Sequence, residues 1–229
     1  MTAEDPYLDP GSKVLINKLG VVDALLLRQI EAEATFLRDA QLKAVPLPGR
    51  FDLAHLQAFH RRLFGDVYPW AGEIRRADLT RTARFAHWAH IESYGANVFG
   101  QLRDEQHLST VDDDEVFLDR LAYFYAEVNA LHPFREGNGR TQRAFFRQLA
   151  LHAGRRIDFG LLDPAEYNEA CRVSMVGSTD PLRRLFALAL VPPTRSIGVS
   201  TRAHPRESNA QAPRVEHSGT PNGKFEVPE

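Results

Sequence analysis

Pro133 follows a long amphipathic run, and two glycines, Gly137 and Gly139, come soon after it. That order requires the chain to leave one helix, turn sharply and enter another. Residues 112–131 read as the first helix, with Leu118, Leu121, Tyr125, Val128 and Leu131 on one apolar stripe. Asp112, Asp113, Asp114 and Glu115 stand at its start, where the helix dipole favours negative charge. Proline has no amide hydrogen and disfavours helical geometry at the residue before it, so His132 is expected at the helix exit. Helical spacing resumes over residues 139–153, with Ala144, Phe145, Gln148, Leu149 and Leu151 available for packing.

The turn between these helices is dense in chemistry. A neutral imidazole at His132 can accept a proton near pH 7, since an unperturbed histidine titrates at about 6.5. Gly137 and Gly139 can take backbone angles closed to other residues and let phosphate oxygens approach the amides. The second helix points its N-terminus at the same place and adds further N–H donors. Asn138 offers a side-chain amide. Glu136 is an acid in an anion cradle, which makes sense if a divalent cation lies between; Mg²⁺ takes one or two carboxylates and completes its shell with phosphates and water. Arg140 and Arg143, three apart on the second helix, suit the terminal phosphates of a nucleotide. This combination points to catalysis on a phosphorylated substrate.

The run HPFREGNGRTQR, residues 132–143, resembles position for position the Fic-domain signature HxFx[D/E]GNGRxxR. The block Tyr68-Pro69-Trp70-Ala71-Gly72-Glu73-Ile74-Arg75, with Phe59, His60 and Phe64 before it, is similar to the upstream part of the same family. The opening from Asp5-Pro6-Tyr7 to Gly20 resembles Fic toxins of toxin–antitoxin pairs, and in all the resemblance covers roughly residues 5–190. It implies an all-α Fic-fold helical bundle with a small β-hairpin flap beside the active site. It also implies a protein adenylyltransferase that moves AMP from ATP to a target hydroxyl. On that pattern His132 is the base, Glu136 holds Mg²⁺, and Gly137, Asn138 and Gly139 bind phosphate. Arg140 and Arg143 hold the β- and γ-phosphates, and Phe134 is a buried anchor. The flap is expected within residues 73–90, with Arg84, Phe85, Ala86 and His87 as its second strand, pairing with the target backbone.

Many Fic proteins contain or bind an inhibitory helix of pattern [S/T]xxxE[G/N], whose Glu pairs with the second motif arginine. This chain has no such match; at Ser109 and Thr110 the fifth position is an aspartate not followed by Gly or Asn. The expected inhibitor is therefore a separate small antitoxin whose Glu meets Arg143. The resemblance further implies ATPase subunits of DNA gyrase and topoisomerase IV as targets. The alternatives are a Fic kinase or a transferase of another phosphate-containing group, and a non-catalytic interaction module. The intact G-N-G sequence speaks against a kinase of the Doc kind, and the complete motif speaks against the module.

Elsewhere the residues read blandly. His55 and His60, in a helix capped by Asp52, are expected as surface or packing residues, and His152 as solvated. His87 and His90 have no third ligand nearby in sequence and are not expected to hold a metal. Cys171 is the single cysteine and reads as a packed small residue. Further helices are expected over 21–42, 90–108, about 164–174 and 181–190, the last two opened by Asp163-Pro164 and Asp180-Pro181. A net charge of −2 gives no support to direct nucleic-acid binding, and no apolar run is long enough to span a membrane. No leader precedes the first helix, so a cytoplasmic protein is expected. The expected organisation is an N-terminal helical segment of the core over 1–50, a Fic domain over 51–192, and a disordered tail over 193–229, poor in apolar residues.

Overall fold

Among the described residues seven α-helices carry the chain: α1 Ala24–Ala44, α2 Leu53–Phe64, α3 Ile91–Asp104, α4 Asp114–Leu131, α5 Asn138–His152, α6 Pro164–Ser174 and α7 Asp180–Ala189. The computed structural model describes residues 5–79 and 85–191; the expected tail, 193–229, lies outside them. Local chemistry starts several helices where the sequence indicates. The Asp52 carboxylate accepts from the His55 amide at 2.8 Å, and Asp113 caps α4 through the Val116 amide at 2.9 Å. Asp163 caps α6 ahead of Pro164. At α7 the cap position is Thr179, with Asp180 already inside the helix, one residue away from the expected start.

The centre is built on α4 and α5. Phe117, Leu121, Phe124, Tyr125 and Leu131 of α4 and Phe145, Phe146 and Leu149 of α5 are all fully buried. Burying each contributes on the order of 1.5–3 kcal/mol against leaving it in water. Helix α2 lies on α5, α1 on α2, and α3 and α7 on α4. This packing clamps both arms of the 132–138 turn from outside.

The fold is mostly helical, as expected, with one small two-stranded antiparallel sheet. Strand β1 (Arg156–Ile157) pairs with β2 (Leu190–Val191), Ile157 opposite Leu190, and ties the end of α7 to the exit of α5. This sheet is not the expected flap. Over residues 73–79 and 85–90 the described chain forms no strand, and residues 80–84, Arg84 among them, lie outside the described residues. The expected helix over 90–108 also stops early. Its last segment, Gln106, His107 and Leu108, takes left-handed angles (φ 51°, 54° and 60°) that drive Leu108 into full burial. Among the described residues no helix is long and apolar enough to cross a membrane.

Candidate active site

His132 occupies the C-cap of α4 with φ 42° and ψ 61°. Pro133 disfavours the right-handed helix there, and a left-handed cap turns the chain sharply out of α4. Its ring stacks on Phe85, centroids 3.7 Å apart and planes 18° from parallel. Its backbone carbonyl accepts the Nε hydrogen of Arg75 at 2.8 Å. Arg75 is 1 % exposed and also bonds the carbonyls of Ala77 and Ala86. The Ala86 amide in turn donates to the Ala130 carbonyl at 2.9 Å. Phe85 and Ala86 thus lie against the end of α4. His87 points outward to Asp78, Nε2 to Oδ2 at 3.1 Å.

The loop after Pro133 is held from within. Both ends of the Asn138 side chain bond the Phe134 backbone, Oδ1 accepting from its amide at 2.9 Å and Nδ2 donating to its carbonyl at 2.7 Å. The side-chain amide expected to meet phosphate also closes the loop, through Oδ1 and one of its two Nδ2 hydrogens. Phe134 is buried, as expected, and stacks on His60 with centroids 3.9 Å apart. His60 Nδ1 accepts the Gly72 amide at 2.7 Å, so Nε2 carries the proton and donates to the Glu136 carbonyl at 3.0 Å. Burial pulls the His60 pKa down to about 3, with the Arg140 and Arg61 charges acting in the same direction. His60 is a neutral strut.

The two glycines differ. Gly137 has φ 78°, and a Cβ there would sit 2.2 Å from the Phe64 ring. Gly139 is helical, and a Cβ would meet only the Arg143 Nη1 at an ordinary 3.5 Å. The fold requires the first glycine but not the second, whose bareness leaves room at the mouth of α5. The first internal bond of α5 runs from the Thr141 amide to the Gly137 carbonyl at 3.0 Å. The amides of Asn138, Gly139 and Arg140 precede it and have no acceptor within the helix.

Charge gathers around that first turn. Glu136 is half-buried, with Oε1 accepting the Gly137 amide at 2.8 Å and lying 3.8 Å from Arg140 Nη2. One carboxylate beside open amides fits Mg²⁺, which draws most of its shell from water and substrate phosphates. Among the described residues no group of three or more His, Cys, Asp or Glu could hold a metal by itself, and His87 and His90 form no such site. Arg140 bonds Glu31 and Thr35 of α1. The Arg143 guanidinium lies over Tyr167, 5.2 Å from the ring centroid. Both arginines line a cleft of about 580 Å³ between α1, α5 and α6. Burial pushes the Cys171 thiol up to about 11, in keeping with a packed, inert residue.

The structure thus brings His132, Glu136, Gly137, Asn138, Gly139, Arg140 and Arg143 to one turn. It adds Arg75, His60, Tyr68 and Glu31, which the motif does not contain. Glu31 lies one turn from Leu27 and from Thr35 on the buried side of α1, a face the sequence does not mark, since Leu25, Leu26 and Leu37 of the same helix are exposed.

Such a turn on such a bundle defines an enzyme that handles a nucleotide at a helix N-terminus. Residues 50–150 match the Fic/DOC family. Over 187 residues the chain is 40 % identical to the probable protein adenylyltransferase Fic of Salmonella typhimurium, covering 81 % of this chain and 92 % of that protein. It is 42 % identical to the protein adenylyltransferase VbhT of Bartonella schoenbuchensis over 80 % of this chain, and spans only 38 % of VbhT. The crystal structure of the BepC effector of Bartonella tribocorum with bound AMPPNP aligns with TM-score 0.75 at 26 % identity, covering 82 % of this chain and 97 % of that one. The chain belongs to the Fic/DOC family and is close to its protein adenylyltransferases.

Proposed function

We propose that this protein adenylyltransferase moves the AMP moiety of ATP onto a hydroxyl side chain of a target protein. The observation that carries the reading is the single turn that joins the His132 imidazole, the Glu136 carboxylate and the open amides at the start of α5. His132 takes the proton of the target hydroxyl, whose oxygen attacks the α-phosphorus. The bond to the bridging oxygen breaks, and pyrophosphate leaves with its electron pair. The Gly137–Gly139 amides and the helix N-terminus bind phosphate oxygens, and Arg140 and Arg143 hold the β- and γ-phosphates. Asn138 holds this loop in shape and offers its second Nδ2 hydrogen to a phosphate oxygen. Glu136 holds Mg²⁺, which when bound neutralises phosphate charge. Phe85, Ala86 and His87 form the side on which the target backbone is laid, and Phe85 orients the imidazole; Arg84, expected with them, lies outside the described residues.

The finer proposal is a toxin acting in the cytoplasm on ATPase subunits of DNA gyrase and topoisomerase IV. Its inhibitor is a separate antitoxin carrying an [S/T]xxxE[G/N] helix, whose Glu pairs with Arg143 in the cleft beside α1. The test uses ATP labelled at the α- or the γ-phosphate, with lysate and purified topoisomerase subunits as acceptors. Protein-bound label from the α position alone, lost in His132→Ala, is the expected result. Label from the γ position would mean a kinase, and labelled lysate proteins with unlabelled topoisomerase subunits would remove the proposed targets.

A further inference from the structure

Arg140 does not reach the turn as a loose side chain. Its Nη2 donates to Oε1 of Glu31, its Nη1 donates to Oγ1 of Thr35 at 3.2 Å, and its plane lies over Phe64, 4.7 Å from the ring centroid. Glu31 is 6 % exposed, and its second oxygen accepts the hydroxyl of the buried Tyr68. Burial, followed by the hydrogen bond to Glu31, pushes the Tyr68 phenol up, so it stays a donor. Both carboxylate oxygens are engaged, and Glu31 is not among the residues lining the cleft that Arg140 faces.

This placement decides between two roles. An acid facing the cleft would compete with an incoming phosphate for the arginine. Glu31 stands behind Arg140 instead, and a buried carboxylate that loses its cation is strongly disfavoured. Arg140 therefore keeps this pair when an anion arrives and serves it with its remaining N–H groups, of which a guanidinium has five in a fixed fork. Ordering the side chain beforehand removes part of the entropy cost of binding.

We propose that Glu31 is a positioning residue that mounts Arg140 on α1, orienting its guanidinium for the outer phosphates of ATP before the nucleotide binds. The proposal rests on the phosphate-binding role given to Arg140 above. It extends the nucleotide site to a helix outside residues 50–150, the part that matches the family.

The test is calorimetric binding of AMPPNP and of AMP, with Mg²⁺, to the full chain. Glu31→Ala is expected to weaken AMPPNP about tenfold while AMP changes less than about twofold, because AMP has no outer phosphates for Arg140. In an Arg140→Ala background the same substitution is expected to add less than about twofold. Equal weakening of AMPPNP and AMP, or the same loss in both backgrounds, would overturn the proposal and leave the adenylyltransferase reading standing. A wild-type chain that binds no AMPPNP would overturn both. If Glu31→Ala does not fold, Glu31→Gln serves, since it keeps an acceptor of the same size. Its expected loss for AMPPNP is about threefold, absent in the Arg140→Ala background; an equal loss in both would again overturn the proposal.

Discussion

The Nε hydrogen of Arg75 meets the backbone carbonyl of His132 at 2.8 Å, and the Arg75 amide meets the Pro133 carbonyl at 2.9 Å. The same guanidinium bonds the carbonyls of Ala77, at 2.9 Å, and Ala86. One buried arginine thus joins the chain on both sides of residues 80–84 to the exit of α4. Burial pulls its pKa down, with Asp78 opposing, yet a guanidinium stays charged. Lysine cannot reproduce a fork that serves three carbonyls. Arg75→Lys is expected to destabilise the protein by about 2–4 kcal/mol through unpaired buried carbonyls, read by urea unfolding. AMP transfer should fall by more than about tenfold even where the protein is fully folded, since the His132 mount is lost. Wild-type stability and transfer in Arg75→Lys would show that the hub is dispensable.

What could be read in advance was local. Asp52 and Asp163 announce helix starts because a cap acts within three residues. Pro133 and the stripe from Leu118 to Leu131 define the exit of α4 for similar reasons. The relationships that pair distant residues were not legible. Glu31 and Arg140 are 109 positions apart, and neither periodicity nor capping connects them. The left-handed turn at 106–108 has no glycine to mark it, and β1 and β2 are too short to show alternation. Of the site, the motif marked the residues gathered at the turn but not those that hold them from behind.

His60 should make stability fall in acid. Its pKa is pulled from 6.5 to about 3 in the fold, first by burial. The unfolded chain therefore binds a proton that the folded chain excludes as pH falls below about 6.5. Stability is fully present above that value and is lost towards pH 3, with a slope of at most about 1.4 kcal/mol per pH unit from this one group. Burial lowers the His55 pKa as well, adding to the same trend. Urea unfolding between pH 7 and pH 5 is expected to show the loss. His60→Asn is expected to be less stable at pH 7 by about 2 kcal/mol and to have a shallower acid slope. An unchanged slope would mean that His60 is protonated in the fold.

The two glycines of the turn should respond in opposite ways to alanine. At Gly137 the left-handed φ and the Phe64 ring, 2.2 Å from an added Cβ, make the substitution costly, by about 2–4 kcal/mol. At Gly139 the backbone is helical and the nearest atom is at 3.5 Å, so alanine is expected to be neutral or stabilising by up to about 0.5 kcal/mol. Both variants should bind AMPPNP less tightly, the second because its methyl group occupies space where phosphate approaches the amides. A Gly139→Ala protein with unchanged AMPPNP affinity would place the phosphates elsewhere.

Glu136→Gln separates the loop's need for this side chain from the metal's. The amide oxygen of glutamine can still accept the Gly137 N–H that Oε1 accepts at 2.8 Å, so the melting temperature should hardly move. The charge is gone, however, and Mg²⁺ prefers carboxylate oxygen to an amide for its few protein ligands. AMP transfer should then require about tenfold more Mg²⁺ for half-maximal rate, and Mn²⁺, which binds such sites more readily, should restore part of the loss. A Mg²⁺ titration that superimposes on wild type would remove Glu136 from the metal. It would leave the 3.8 Å approach to Arg140 as one reason for an acid at this position.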